Sequence, residues 1–166
     1  MRKKQRRSRG RKSAKRSLGK FKSSIEKYCS DQLRERGVSF TYEEDTFYLM
    51  DSFRFPNKYF KMTAKRKDMS DRTNSVQQPI RYTPDFVGKD QKWVIETKGY
   101  LPSHHDFPMR WKLFLKHIVD NDLGYDVYLA RNKHQVDQAI DEIIKSRDND
   151  ETSTSSGLLD GEPEDA

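Results

Sequence analysis

Residues 81–99 read RYTPDFVGKDQKWVIETKG, and their pattern predicts two strands with a turn between them. Residues 81–87 and 92–99 are rich in β-branched and aromatic side chains, which favour strands. The four residues between them, 88–91, begin with glycine and contain an aspartate, as short hairpin turns often do. The stretch therefore predicts a β-hairpin, and we take it as the centre of the fold.

Polar side chains converge at one end of this predicted hairpin. Because side chains alternate between the faces of a strand, Glu96 and Lys98 lie on the same face. Ile95 and Thr97 point to the opposite face and can pack into the core. Asp85 lies on the preceding strand, and hairpin pairing would bring it next to them.

Two carboxylates beside a lysine are suited to metal-dependent hydrolysis of phosphodiesters. Mg²⁺ prefers carboxylate and other oxygen ligands, and it lowers the pKa of an attacking water. A lysine can stabilise the charge that develops on the phosphate. A Glu-x-Lys on a strand is also common as a solvent-facing salt bridge of little energetic value. Pro84 before the aspartate, the apolar run WVI (93–95) and Gly99 after the lysine favour the interpretation as a site.

The rest of the chain predicts helices and strands around this hairpin. Apolar residues recur at helical spacing in residues 23–37, and VSFTYEE (38–44) alternates like a strand. TFYLM (46–50) extends that strand or pairs with it. We interpret residues 51–79 as a long insertion, partly mobile and partly basic. A helix with one apolar stripe follows, then the strand DVYLA and a last helix; their positions are Phe107 to Ile118, residues 126–130, and Val136 to Ile144 after the capping residue Asn132.

The order α-β-β-β-α-β-α predicts an α/β fold with a mixed central β-sheet flanked by helices. At 166 residues the chain is long enough for one domain, and with 33% hydrophobic residues its core must be modest. The single cysteine, Cys29, cannot form an internal disulfide and is predicted to be a buried thiol. Since neither a secretory signal nor a membrane-spanning run is evident, we expect a soluble, cytoplasmic protein.

The net charge of +7 is unevenly distributed. Residues 1–22 contain twelve Lys or Arg and no acid, and residues 148–166 contain seven Asp or Glu and no base. We predict a disordered basic arm, a folded domain over 23–147 that carries the hairpin site, and a disordered acidic tail. A solubilising tail or a membrane-surface patch would also explain the arm, but its few bulky apolar residues favour a nucleic-acid partner over a membrane.

Two motifs in the hairpin resemble a known group of nucleases. Pro84-Asp85 followed by Glu96-Thr97-Lys98 resembles the PD-(D/E)xK nuclease superfamily. More narrowly, YTPDF (82–86) and IETKG (95–99) are similar to the phage endonuclease I family of Holliday junction resolvases. A helix carrying Ser24, Ile25 and Glu26 ahead of VSFTYEE fits the opening of that family, and the resemblance covers about residues 20–130.

This resemblance implies a fold, a site and a substrate. Asp85 and Glu96 would be metal ligands with the backbone carbonyl of Thr97, Lys98 would be the catalytic lysine, and Glu26 would complete the metal site. The cofactor would be Mg²⁺, with Mn²⁺ expected to substitute. The fold would be a restriction-endonuclease-like core in an intertwined homodimer, in which Glu26 can serve the partner's site. The substrate would be four-way (Holliday) and other branched DNA in recombination, in the host cytoplasm if the protein is phage-encoded.

Some residues keep a second interpretation. Ser23-x-x-Glu26 is also a capping box, in which the glutamate only bonds back to the start of the helix. His104 and His105 could touch a phosphate or bind a softer metal, but a surface loop explains them better. Basic residues on the helix after them fit either phosphate contacts or an ordinary solvated face; they are Arg110, Lys112 and Lys116.

The function also keeps alternatives. A restriction-type or repair endonuclease would use the same metal site on unbranched DNA. A non-catalytic nucleic-acid binder would need only the basic arm, and would have no use for carboxylates that repel a phosphate. The segment 51–79 is longer than the resolvase family would have it. The resemblance therefore says least about the dimer linkage and the DNA-binding surface.

Overall fold

The computed structural model describes residues 18–64, 67–99 and 105–156, with side chains described as far as residue 149. In these residues the chain forms three helices and ten short strands. The helices are α1 (Ser24–Glu35), α2 (Phe107–Asp120) and α3 (Lys133–Ser156). The strands are β1 (Phe40–Tyr42), β2 (Phe47–Met50), β3 (Phe53–Arg54), β4 (Phe60–Lys61), β5 (Ser70–Asp71), β6 (Val76–Gln77), β7 (Ile80–Tyr82), β8 (Phe86–Gly88), β9 (Trp93–Thr97) and β10 (Asp126–Ala130).

A mixed sheet of four strands, in the order β1-β8-β9-β10, forms the centre of the described structure. Strands β8 and β9 are antiparallel, with Phe86 opposite Ile95 and Val87 opposite Val94, so the predicted hairpin is confirmed. Strand β10 runs parallel to β9, and α2 connects the two. The prediction of an α/β fold with a mixed sheet and flanking helices is therefore confirmed in this form. None of the described helices has the length and apolar character needed to cross a membrane.

Both faces of the sheet are covered by helices. On one face Phe86, Trp93 and Ile95 pack with Cys29 of α1 and with apolar residues of α3. On the other face the sheet packs against α2 and forms a second apolar cluster with it, so the sheet itself separates the two clusters. The members of the second cluster are Tyr82, Val87, Val94, Phe107, Phe114 and Ile118. All five residues of β9 are buried, because this strand is central and covered on both sides.

The helix ends follow the signals in the sequence. The Ser23 hydroxyl accepts a hydrogen bond from the Glu26 amide at the start of α1. After α1, Gly37 adopts φ +69°, a left-handed conformation that glycine adopts without strain. The predicted cap of the last helix is confirmed, since Asn132 Oδ1 accepts a hydrogen bond from the Gln135 amide at 2.9 Å.

The predicted strand 81–87 is wrong as a single element. The chain leaves β7 at Tyr82 and enters the central sheet only at Phe86, with a bend over residues 83–85. Pro84 lies in this bend and, having no amide hydrogen, cannot donate to a strand ladder. TFYLM also does not pair with β1, because Phe47 of β2 lies opposite Tyr82 of β7.

Residues 47–64 and 67–82 form a two-stranded antiparallel ribbon that starts and ends beside the central sheet. Strand β2 pairs with β7, β3 with β6, and β4 with β5. The segment 51–79, interpreted from the sequence as an insertion, is the outer part of this ribbon, and we call it the outer ribbon. Its strands are only two residues long, which is why no strand pattern is visible in the sequence.

Both predicted disordered tails differ from the structure near the domain. Phe21, placed by the sequence in the arm 1–22, packs edge-on against Tyr42 with 4.9 Å between ring centroids. Helix α3 continues to Ser156, past the predicted start of the acidic tail at residue 148. Extending an existing helix by a turn is much easier than nucleating one, so polar residues can follow a packed helix. Residues 1–17 and 157–166 lie outside the described part.

Candidate functional site

An open cleft of about 470 Å³ lies where β9 ends, between the first turns of α1 and α2. Its wall includes Asp85, Glu96 and Lys98, the three residues that the sequence placed together. Thr97 and Glu26 also line it. The hairpin explains the first three, because Asp85 comes just before β8 and Glu96 near the end of β9.

Asp85 is held against the end of β9. Its side chain is 8% exposed, and its Oδ2 accepts hydrogen bonds from the Thr97 amide and the Thr97 hydroxyl, both at 2.7 Å. The backbone amide of Asp85 donates to Glu96 Oε2 at 3.2 Å. The two carboxylates are therefore neighbours across the hairpin, and Asp85 Oδ1 takes part in neither bond to Thr97.

Glu96 is paired with the lysine two residues later. Glu96 is 3% exposed, and its Oε1 lies 2.5 Å from Lys98 Nζ. The Lys98 side chain is 22% exposed, and its ammonium group lies 4.7 Å from the ring centroid of Phe107. Lys98 thus sits between a buried carboxylate and the opening of the cleft, where a ligand can reach it.

Burial raises the pKa of Asp85 to about 7, and the negative charge of Glu96 adds to the effect. The hydrogen bonds from Thr97 and the charge of Lys98 act in the opposite direction, but they are outweighed. Two buried carboxylates with one ammonium group leave an excess of negative charge in a poorly solvated place. A further cation in the cleft would relieve that excess.

Glu26 belongs both to a helix start and to the cleft. It is 7% exposed, and its Oε2 accepts hydrogen bonds from the Tyr42 hydroxyl at 2.7 Å and the Lys22 amide at 2.8 Å. The predicted capping box is half formed: the Ser23 hydroxyl accepts from the Glu26 amide, but the carboxylate bonds to Lys22 instead of Ser23. In the structure Glu26 lines the cleft of its own chain.

The donors in the cleft are chemically suited to a hard cation, since carboxylate oxygens are the preferred ligands of Mg²⁺. Within the described ranges, however, no three His, Cys, Asp or Glu side chains are grouped closely enough to hold a metal ion as they stand. Glu96 is engaged by Lys98, and one oxygen of Asp85 is engaged by Thr97. Asp85 and Glu96 form the part of the predicted ligand set that the structure brings side by side.

Tyr82 is a cleft residue to which the sequence analysis gave no role. It is 4% exposed, and its buried hydroxyl lies beside the Glu96 carboxylate. Burial raises the pKa of Tyr82, and the charge of Glu96 contributes next. The sequence pointed to Tyr82 only through its place in the motif YTPDF, and an aromatic residue ahead of the aspartate is typical of a core residue.

Two charged side chains extend the rim of the cleft. Arg110 on α2 donates to the backbone carbonyl of Arg81 at 2.8 Å and pairs with Asp106 at 3.3 Å. Lys22 forms an ion pair with Glu43. Arg110 was one of three basic residues predicted as possible phosphate contacts, and it is the one that lines the cleft.

The other candidates lie away from the cleft or in the core. Lys112 is exposed and Lys116 pairs with Asp120, as expected for a solvated helix face. His105 is exposed, and His104 lies outside the described residues. Cys29 is fully buried, as predicted, and burial raises the pKa of its thiol.

Comparisons with known proteins found no family model, no curated protein and no solved structure that matches this chain. A function therefore has to be argued from the cleft itself, from its paired carboxylates and its lysine.

Proposed function

We propose that this chain is a Mg²⁺-dependent endonuclease that cleaves four-way and other branched DNA by phosphodiester hydrolysis. The observation that carries the proposal is the convergence of Asp85, Glu96 and Lys98 in one cleft. Burying two carboxylates side by side costs free energy, and such arrangements concentrate at functional sites. The motifs YTPDF and IETKG, which resemble the phage endonuclease I family, support the same function.

In the proposed site Asp85 and Glu96 would hold the metal ion, with the Thr97 carbonyl and Glu26 as further ligands. A bound Mg²⁺ would supply Lewis acidity at the phosphate and a more acidic water as the nucleophile. Lys98 stabilises the charge on the phosphate in the transition state, from its place between Glu96 and the cleft opening. Hydrogen bonds from Thr97 fix the orientation of the Asp85 carboxylate.

Electrostatics favours catalysis over simple DNA binding. A phosphodiester that approaches two buried carboxylates is repelled unless a cation lies between them. A protein that only bound DNA would gain affinity by losing these acids. The basic residues at the N-terminus supply attraction to the backbone that does not depend on sequence.

The finer architecture belongs to the same proposal. A central sheet with α1 and α3 on one face and α2 on the other supports a restriction-endonuclease-like core. A homodimer would carry two clefts related by a two-fold axis, and such a pair can cut two strands of a four-way junction symmetrically. Exchange of α1 between copies would bring Glu26 from one protomer to the cleft of its partner.

The test is digestion of a synthetic four-way junction in Mg²⁺ and in EDTA, with linear and mismatched duplexes alongside. Wild type should cut the junction only with the metal, and Lys98→Ala should lower the rate by about 100-fold or more. The matched control is Lys89→Ala, which removes an exposed lysine from the turn at the opposite end of β9 and should cut like wild type.

Each other outcome has a defined meaning. Cleavage that survives both Lys98→Ala and Asp85→Ala refutes the proposed site. Equal rates on linear and branched DNA would replace the resolvase with a restriction-type or repair nuclease. Tight binding with no cleavage in Mg²⁺ or Mn²⁺ would leave a non-catalytic binder.

A further inference from the structure

The outer ribbon extends from the domain without a core of its own. Every described residue from 51 to 79 is exposed or only partly buried. Its strands pair with each other, β3 with β6 and β4 with β5, and no described residue in it belongs to either apolar cluster of the domain. A surface element of about thirty residues that buries so little adds little stability to the domain.

The outer ribbon and the rest of the folded part carry net charges of opposite sign. By sequence, residues 51–79 carry a formal charge of +4, whereas the remainder of 23–147 carries −2. None of the described cations of the outer ribbon forms a salt bridge, in contrast to the paired Lys22, Arg36 and Lys116 on the body. These unpaired cations are Arg54, Lys58, Lys61, Lys67 and Arg72.

The base of the ribbon is packed firmly beside the cleft. Phe47 of β2 lies 5.0 Å from Phe114 of α2, and Tyr82 of β7 stacks on the same ring at 4.6 Å, both measured between centroids. Tyr82 itself lines the cleft, and only two residues separate it from Asp85. The contacts with α2 thus hold the base of the ribbon beside the cleft.

We propose that the outer ribbon binds a duplex arm of the DNA substrate beside the cleavage cleft, which rests on the proposed nuclease function. A two-stranded ribbon fits the major groove of B-DNA, about 12 Å wide. Strands rise about 3.3 Å per residue, so about fourteen residues reach at most about 45 Å, roughly one turn of duplex. The unpaired lysines and arginines neutralise phosphates along that length.

The alternative to DNA is that the outer ribbon binds a second copy of the chain. Seven large apolar side chains on the ribbon are exposed, which would suit a contact between copies. Two outer ribbons placed together would, however, bring like charges into contact, whereas DNA complements them. Apolar side chains between cations are also compatible with DNA, where they pack against bases in a groove. The seven are Tyr48, Met50, Phe53, Phe60, Met62, Met69 and Val76.

The experiment measures binding of the full chain to a four-way junction and to a linear duplex in EDTA, between 50 and 200 mM salt, roughly the range over which phosphate contacts are lost. The triple variant Lys58→Gln/Lys61→Gln/Lys67→Gln should weaken junction binding by about 100-fold or more at the middle of this range. The slope of log affinity against log salt should fall by about 3, since each phosphate contact contributes about 1. The matched control, Lys89→Gln/Lys92→Gln/Lys145→Gln, removes three exposed lysines from the body and should change affinity less than twofold.

The opposite results overturn the proposal. Equal affinity and slope for the ribbon variant and the body control would show that the ribbon does not touch DNA. If sedimentation equilibrium without DNA finds that wild type self-associates and that Phe60→Ser/Met62→Ser, which removes exposed apolar side chains of the outer ribbon, does not, the occupant is a second copy. The nuclease proposal is tested separately, because Lys98→Ala should abolish cleavage while retaining the wild-type salt slope to within about 1, the value of a single phosphate contact.

Discussion

The central hairpin β8–β9 and the outer ribbon are both antiparallel strand pairs, yet different forces hold them. The central hairpin is buried on both faces, and its strands alternate between two apolar clusters. The outer ribbon is held by short stretches of backbone pairing and a few side-chain bonds, such as Arg54 to the Asn74 carbonyl at 2.6 Å. Packing constrains the sequence of the central hairpin, whereas only turns and surface chemistry constrain the sequence of the outer ribbon.

We expect the largest effect on stability when a phenylalanine of the central hairpin is replaced, and the comparison is a phenylalanine of the outer ribbon. Phe86→Ala removes a fully buried ring of the central sheet and should lower the free energy of unfolding by about 3–5 kcal/mol. Phe60→Ala removes a ring that is 42% exposed on the outer ribbon and should cost about 0.5 kcal/mol or less. Urea denaturation of both variants measures the difference. Equal losses would mean that the outer ribbon has a core of its own.

The next effect concerns the pH dependence of stability. With a pKa raised to about 7, folded Asp85 keeps a proton that the unfolded chain loses near pH 4. Its contribution to stability therefore decreases as the pH rises from about 4 to about 7, by up to roughly 4 kcal/mol, and is constant above. Asp85→Asn should remove this decrease, as measured by urea denaturation at several pH values.

The matched control for the pH profile is Asp68→Asn, which removes an exposed carboxylate of the outer ribbon and should keep the wild-type profile. If the proposed metal site is correct, Mg²⁺ at pH 8 should also raise the melting temperature of wild type more than that of Asp85→Asn. A wild-type pH profile in Asp85→Asn would contradict the electrostatic description of the cleft.

A third prediction tests how tightly the central hairpin is packed at its turn. A Cβ added at Gly88 would meet the Gln91 carbonyl oxygen and lie 2.5 Å from Trp93 Nε1. Gly88→Ala should therefore destabilise the protein by about 2 kcal/mol. Gly99→Ala is the control, because a Cβ there meets no atom within 4 Å among the described residues. Thermal unfolding of both variants gives the comparison, and an unchanged melting temperature for Gly88→Ala would contradict this packing.

We expect the smallest effect on stability from removing a tyrosine hydroxyl, and two tyrosines are compared. Tyr42→Phe removes a buried hydrogen bond to the Glu26 carboxylate and should cost about 1–2 kcal/mol. Tyr48→Phe removes a hydroxyl from a ring that is 52% exposed at the base of the ribbon and should be nearly neutral. Chemical denaturation measures both. A neutral Tyr42→Phe would show that Glu26 is positioned by its bond to Lys22 alone.

The sequence predicted the parts of the fold that depend on local periodicity. Alternating apolar residues identified the central hairpin, and the spacing of apolar residues identified α1 and α2. Asn132 correctly marked the start of α3 because its side chain accepts a hydrogen bond from a backbone amide of the first turn. The break at Pro84 was missed, since residues 81–87 alternate as one strand would and only the pairing partners reveal two.

From residue spacing alone, the site was predictable only within one hairpin, and Glu26 was added to it by the family resemblance. Asp85, Glu96 and Lys98 are close because their strands are neighbours in sequence and in space. The hydrogen bond between Tyr42 and Glu26 joins β1 to α1 and could not be read from either segment. Tyr82 was missed because burial of its hydroxyl beside Glu96 depends on α2 packing over the ribbon base.

What the sequence by itself determined is the hairpin with its two acids and lysine, because strand alternation and a short turn act within about twenty residues. The tertiary structure decided that Tyr42 of β1 holds Glu26, which only the family resemblance assigned to the site, in the same cleft. It also decided that the described residues of 51–79 form a ribbon whose base packs on α2. Those features depend on contacts between segments far apart in the chain, and local patterns carry no record of which distant surface a segment will meet.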